Sequence, residues 1–365
     1  MLSLQRSENI APSSPEIAGV LRPYIDSGAV AGVAALVADR DRIISLDALG
    51  YSDIAARTPL APNALFWIAS QTKPITASLL MMLADEGLVN LDDTVEKYLP
   101  EFEGQWVAVE QEDDHVLLKK PHRPISLRDI LSHTSGLPFR SALETPTLDA
   151  LPLSVAAGSY AMTPLQSEPG TQYSYSNAGI NTVGRIIEVV SGLTYWTFLK
   201  GRLLDPLGMT DTTFWPDAGQ AARLAKAYAP NEDKTVLQET AISQLQYPLD
   251  NPERYPMPAG GLFSTAADVA QFCRLILNGG ELNGNRLLSE EAVAEMTKRQ
   301  TAPGIEQSHG LGWNVGEDTV GHGGALSTDM AIDRKRGLIL VYLVQHAGFA
   351  LNGHEALAAF HNAAR

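Results

Sequence analysis

The chain has 365 residues, with 27 basic against 42 acidic side chains and a formal charge of −15. At 45% hydrophobic and 19% charged it has an ordinary globular composition, which excludes fibrous repeats and wholesale disorder. The acidic balance excludes a basic face for nucleic acid or a polybasic membrane anchor, and the single cysteine excludes an internal disulfide and a Cys-rich zinc site.

Met1 to Pro15 is polar and lacks the continuous apolar segment of a secretory signal, so the expectation is a cytoplasmic protein unless an export signal has been trimmed. Ser14-Pro15-Glu16 reads as an N-cap with proline at the first helical position, and Ile17, Val20, Leu21, Tyr24 and Ile25 follow at helical spacing. Two strand-like runs come next, 32–38 and 42–51, joined by the polar loop Asp39-Arg40-Asp41. From about 75 to 300 the pattern is mostly helical, broken by proline-rich loops. Within it, 101–124 carries both charge signs and a short apolar alternation, as a hairpin insertion would. Cys273 sits in the apolar run 269–277 and reads as a buried, inert thiol. Strand signals return over 310–315, 327–333 and 337–345, with a turn at 333–337, and a helix over about 353–364 ends the chain. No apolar run reaches the ~18 residues a membrane helix needs.

Strands at both ends and helices between them predict an α/β protein of the α+β type. One antiparallel sheet is built from both termini and flanked by helices, and an inserted, mostly helical lobe completes the chain. Residues 14–69 and 301–365 would form the α/β lobe and 70–300 the helical lobe, with the chemistry in the cleft between them.

Ser70-Gln71-Thr72-Lys73 is a Ser-x-x-Lys tetrad, followed by Pro74 and by Ile75, Leu79, Met82 and Leu83 at helical spacing. Ser70 and Lys73 then lie one turn apart near a helix start. A serine hydroxyl needs a neighbour to take its proton, and a lysine whose pKa is lowered by burial can do so. On a solvated helix face the same tetrad would be chance. Tyr175-Ser176-Asn177 follows, on a loop before a helix expected near Ile180. A tyrosinate or a shared-proton tyrosine can serve as general base, and the amide can orient substrate and lysine. The bland alternative is an aromatic turn packed on the core. Gly321-His322-Gly323-Gly324-Ala325 lies between strand-like runs, where glycines permit close approach to a strand edge. The backbone N–H groups of Ala325 and Ser70 could form an oxyanion hole. Alternatively this is a glycine-rich turn with an exposed histidine.

Taken in order, Ser70-x-x-Lys73, Tyr175-x-Asn177 and His322-Gly323-Gly324 resemble the motifs of the serine β-lactamase-like superfamily, closest to its class C β-lactamase, D,D-peptidase and family VIII esterase branch. Leu131-Ser132-His133-Thr134-Ser135-Gly136-Leu137, Glu168-Pro169-Gly170 and Gly260-Gly261-Leu262-Phe263-Ser264-Thr265 fit the same pattern, so the likeness runs from about 31 to 344. The resemblance implies a β-lactamase/transpeptidase-like fold and a serine hydrolase. Ser70 would attack a carbonyl to form an acyl-enzyme, Lys73 and Tyr175 would shuttle the proton, and Asn177, His322, Gly323, Gly324 and Ala325 would bind substrate and oxyanion. It implies a small ester, amide or β-lactam substrate, and no metal or organic cofactor.

One departure bears on substrate. β-Lactamases commonly carry Lys-Thr-Gly where this chain has His322-Gly323-Gly324, and a neutral histidine anchors an anion weakly. An esterase-like activity is therefore favoured over a β-lactamase or a D-amino-acid peptidase. A non-catalytic scaffold on the same fold is the reading from a different class. His133 is expected to be a structural member of its loop. His354-Glu355 lacks the second histidine of a zinc-protease motif, and Gly310-Leu311-Gly312 lacks the rest of a dinucleotide fingerprint.

Overall fold

The structure, a computed structural model, describes residues 12–364. Most of the N-terminal segment read for a signal lies outside them. Helices of eight or more residues are labelled α1 (Pro15–Asp26), α2 (Thr72–Asp85), α3 (Leu153–Ala161), α4 (Asn177–Ser191), α5 (Ala266–Leu277), α6 (Glu290–Thr297) and α7 (Ala356–Ala363). The main sheet is made of β1 (Gly32–Ala38), β2 (Ile43–Asp53), β3 (Thr58–Pro59), β4 (Asn314–Val315), β5 (Thr319–Gly323), β6 (Asp329–Asp333) and β7 (Leu338–Leu343).

The sheet order is β4-β5-β6-β7-β1-β2-β3, antiparallel at every step, so strands from the two ends of the chain meet at the β7–β1 pair. That junction explains β1. Every one of its residues is buried, and its sequence GVAALVA is apolar throughout because both faces are covered. Val33, Ala35 and Val37 face a cluster with Ile17 and Leu21 of α1 and Phe360 of α7, while Ala34, Leu36 and Ala38 face the main core. This period of two is the strand's own geometry. α5 packs against β1, β6 and β7 and brings Cys273 into the interior, where burial pushes the thiol pKa up. The architecture is thus the β-lactamase/transpeptidase-like α/β fold expected from the sequence.

Local signals account for the element ends. The Ser14 side chain accepts from the Ile17 N–H, capping α1 as its sequence predicts. The polar stretch 101–124 does contain a hairpin, Val107–Gln111 with Val116–Lys119.

Several readings are corrected. α4 begins at Asn177, not near Ile180, because Ser176 is its N-cap and accepts from the Gly179 N–H at 2.9 Å. Residues 321–323 are not a linking turn but the end of β5, a strand whose Gly-His-Gly composition hides it. The run 310–315 is strand only at Asn314–Val315. Gly312 has φ +76, and a Cβ there would sit 2.9 Å from the Ala77 Cβ of α2, so these glycines serve close approach. The final helix is a 3₁₀ turn, Gly353–Glu355, before α7. Two small hairpins, Ala227–Pro230 with Leu237–Thr240 and Glu281–Leu282 with Asn285–Arg286, interrupt the helical middle.

A buried ion pair ties two loops of that middle together. The Arg254 Nε donates to Asp149 Oδ2 at 2.7 Å, and the two side chains are 2% and 1% exposed. Replacing Arg254 with methionine strands a buried carboxylate, and the expected loss of stability is about 3–5 kcal/mol. Chemical denaturation should show this as a lower midpoint with an unchanged slope.

Candidate active site

Ser70 sits in a 3₁₀ turn, Ala69–Gln71, that feeds directly into α2. The turn is sharply bent. Ala69 is buried with φ +47, in the left-handed region that β-carbon sterics disfavour. It is held in place by its surroundings. Thr72 Oγ1 donates to the Ala69 carbonyl at 2.6 Å, the Ile68 N–H donates to the Leu262 carbonyl at 3.0 Å, and Trp67 Nε1 donates to the Gly260 carbonyl at 2.8 Å. Phe66 and Trp67 pair with Ser264 and Phe263, which explains the Gly260–Thr265 phrase as the strand beneath the serine.

Lys73 follows one turn on and is fully buried. Its Nζ lies 3.1 Å from Ser70 Oγ, 2.7 Å from Asn177 Oδ1 and 2.6 Å from the Ala259 carbonyl. Burial pushes its pKa well below the ordinary lysine value. The neutral amine has two N–H bonds and one lone pair. Both carbonyl oxygens accept and cannot donate, so they take the two N–H bonds. The lone pair is left for the Ser70 hydroxyl, the orientation a proton acceptor needs.

Tyr175 stands over this group, with Lys73 Nζ 4.5 Å from its ring centroid. Burial raises the phenol pKa, and a hydrogen bond with Ser70 only partly offsets it. The tyrosinate alternative is therefore disfavoured, and a neutral phenol is the form present near pH 7. Two loops hold Tyr175 in place. The Ser174 N–H donates to the His133 carbonyl at 2.8 Å, the Ser176 N–H donates to His133 Nδ1 at 3.2 Å, and the Gly170 N–H donates to the Thr134 carbonyl at 2.8 Å. The phrases 131–137 and 168–170 are thus one stitched support, and His133 is a fully buried part of it.

His322, buried in β5, has its ring centroid 6.1 Å from that of Tyr175. Its Nδ1 pairs with the Gly323 carbonyl at 2.7 Å. Burial, reinforced by Lys73, drives its pKa down to about 3, so the ring is neutral at physiological pH. His309, which the sequence did not single out, lies with its ring centroid 4.9 Å from that of His133 and tilted by 52°, and burial lowers its pKa to about 4. The chain order of His309, far from either loop motif, gave no signal of this packing.

Gly324 brings the third motif against the first. A Cβ there would collide with Thr328 Oγ1 and come within 2.6 Å of the Ile68 carbonyl and 3.3 Å of the Ala69 Cβ. The loop is tight. The Gly324 N–H donates to the Thr328 carbonyl at 2.7 Å, the Ser327 N–H returns to the Gly324 carbonyl at 2.9 Å, and Ser327 has φ +66. Ala325, next in the chain, is exposed. Ser70, Lys73, Tyr175 and Asn177 are therefore in direct contact, His322 flanks Tyr175, and Gly324 abuts the turn that carries Ser70.

A serine hydroxyl and a buried lysine amine thus lie one helical turn apart under a tyrosine, on the β-lactamase/transpeptidase-like fold. The chain belongs to the Beta-lactamase family, whose family model matches residues 17–363. An uncharacterized protein of Mycobacterium tuberculosis is 31% identical over 381 residues, covering 93% of each chain. Lovastatin esterase of Penicillium rubens is 27% identical over 369 residues, covering 88% of this chain and 90% of that protein. Among solved structures, EstCE1, described as a hydrolase with promiscuous acyltransferase activity, superposes with a TM-score of 0.80 at 24% identity, over 96% of this chain and 97% of that one. Among the described residues, no helix is long and apolar enough to cross a membrane.

Gly324→Ala should displace the 324–328 loop from the serine turn. The expected result is a rate loss on the order of 10²–10³, the scale of losing one oxyanion donor, with the far-UV circular dichroism spectrum retained.

Proposed function

We propose that the protein is a carboxylesterase-like serine hydrolase acting on small, uncharged esters through an acyl-enzyme on Ser70. The observation that carries this reading is the buried Lys73 amine, 3.1 Å from Ser70 Oγ, with both N–H bonds committed to carbonyl oxygens.

In the proposed reaction Ser70 Oγ bonds to the ester carbonyl carbon as its proton passes to Lys73. The carbonyl electrons move onto oxygen, and the backbone N–H groups of Ser70 and Ala325 receive the oxyanion. Protonated Lys73 has three N–H bonds for its three acceptors, so the surroundings that orient the amine also satisfy the ammonium. Collapse of the oxyanion breaks the bond to the alkoxy oxygen. Tyr175 gives its proton to that oxygen and takes one from the Lys73 ammonium, and the alcohol leaves. Water, activated through the same groups, then attacks the acyl carbon, releases the carboxylic acid and restores Ser70. Asn177 serves as both lysine acceptor and substrate contact.

Substrate preference follows from charge. At physiological pH the third motif supplies a neutral imidazole in His322 and two glycines, with neither a fixed cation nor a side-chain hydroxyl to grip a carboxylate. This favours a neutral ester over a β-lactam or a D-amino-acid peptide, whose recognition benefits from a cation at that place. The likeness to lovastatin esterase and to EstCE1 supports the same reading. A scaffold role would leave this full set of chemical groups without a use.

Intact mass spectrometry during incubation with short-chain p-nitrophenyl esters and with benzylpenicillin tests the proposal. The expected result is ester turnover abolished by Ser70→Ala, with penicillin consumed slowly or trapped as a stable adduct. Rapid penicillin loss with no ester turnover would reverse the preference, and activity in Ser70→Ala would overturn the mechanism. Lys73→Arg should collapse ester turnover, because a guanidinium does not give up its proton. Activity should also fall as pH drops through the lowered Lys73 pKa, since only the neutral amine accepts. Tyr175→Phe should slow turnover by a factor on the order of 10²–10⁴, measured as kcat.

A further inference from the structure

The Lys73 lone pair faces Ser70 only while the Ala259 carbonyl stays where it is, and the bond to Lys73 is one of several that hold it. The segment 258–259 belongs to an irregular stretch between Arg254 and Phe263, so its position must come from its contacts. Two come from α2. Lys73 Nζ donates to the Ala259 carbonyl at 2.6 Å, and Thr76 Oγ1, three residues on, donates to the Pro258 carbonyl at 2.7 Å. The third comes from α4. Asn181 Oδ1 accepts the Ala259 N–H at 3.0 Å. Asn181 lies four residues after Asn177, so both amides project from one face of α4. One meets Lys73 directly, and the other holds the peptide whose carbonyl meets Lys73. Gly184, on the next turn of that face, lets the segment lie close, because a Cβ there would collide with the Pro258 ring.

Asn181 is itself fixed from behind. Its Nδ2 donates to the Tyr160 hydroxyl at 3.1 Å, and that hydroxyl donates to Glu144 Oε1 at 2.5 Å. Glu144 Oε2 accepts the Ser141 N–H at 2.8 Å. Glu144, Tyr160 and Asn181 are all buried, at 1%, 0% and 2% exposure. A polar chain of this length inside a core is unfavourable unless every member is satisfied, and here each member contributes to aiming Asn181.

We propose that Asn181 is a positioning residue for Lys73. It acts by clamping the Ala259 peptide so that one amine N–H is always engaged and the lone pair stays on Ser70, and Gly184 is the space that allows the clamp. This rests on the reading of Lys73 as the proton acceptor for Ser70, and the experiment separates the two.

The test is a double-mutant cycle on Ser70 phosphorylation by a dialkyl fluorophosphate, followed by intact mass. In that reaction the Ser70 Oγ–P bond forms, the P–F bond breaks, fluoride leaves and the hydroxyl proton goes to the base. Asn181→Leu should slow labelling on the order of 10- to 100-fold with Lys73 present, the scale of misplacing a reacting group. In the Lys73→Ala background, where there is no amine to orient, the same substitution should change the rate by no more than about twofold. An equal loss in both backgrounds would make Asn181 a merely structural residue and overturn the inference. Labelling of Lys73→Ala at the wild-type rate would instead remove Lys73 from the mechanism, and the inference with it. If the leucine variant does not fold, Gly184→Ala disturbs the same segment from its other side. It should show the same dependence on Lys73, and an equal loss in both backgrounds would again overturn the proposal.

Discussion

One constraint organises this molecule: a lysine amine must be kept out of water and still have its hydrogen-bonding capacity met. Lys73 is fully buried, and desolvation alone lowers its pKa. A buried amine with unsatisfied N–H bonds would be unfavourable, so the fold supplies two carbonyl oxygens at 2.6 and 2.7 Å. Those acceptors come from remote parts of the chain, Asn177 on α4 and Ala259 in a loop. The packing of α2, α4 and the 254–263 stretch is therefore the geometry of one nitrogen atom. Thr76, Asn181 and Gly184 act on the same few ångströms from neighbouring turns.

The titratable side chains around that nitrogen are held in their neutral forms. His322 and His309 are held to about 3 and 4, His133 is pushed well below the ordinary histidine value by burial, and burial keeps Tyr175 protonated. The histidines and the tyrosine of the cluster therefore add no charge near neutrality, and burial weakens the hold of Lys73 on its proton. Such a site is suited to reactants that bring no charge of their own. It differs from one in which a permanent cation awaits a carboxylate, and that difference underlies the proposed preference for neutral esters.

Three bent backbone positions lie around the candidate site. Ala69 and His133, neither of them glycine, both adopt positive φ, and Ser327 does so in the loop after the third motif. Each is held by surrounding hydrogen bonds rather than by its own preference: Thr72 to the Ala69 carbonyl, Ser174 to the His133 carbonyl, and Ser327 to the Gly324 carbonyl. These bent segments meet beside Ser70, where Gly324 leaves no room for a Cβ against the Ile68 carbonyl.

Much of this was legible in the sequence, and the reasons are physical. The Ser70–Lys73 spacing is local, since one helical turn brings the two together whatever the tertiary fold. The apolar run of β1, the capped start of α1 and the hairpin at 107–119 are also local, because periodicity and caps act within a few residues. The family resemblance added the order of the three motifs. Local signals failed where composition and structure part. Gly-His-Gly makes a poor strand by propensity, yet β5 runs through it because its neighbours β4 and β6 supply the ladder. Ser176 looked like loop and is a cap. What only the tertiary structure decided is which distant atoms meet Lys73: the Ala259 carbonyl, the Asn181 clamp behind it and the His309 ring beside His133. Those contacts join residues more than a hundred positions apart, or lie on a face that helical spacing alone cannot assign to a partner. The amine's lone pair is aimed by the sum of such contacts, so the sequence determines which chemical groups are available and the packing determines what they can do.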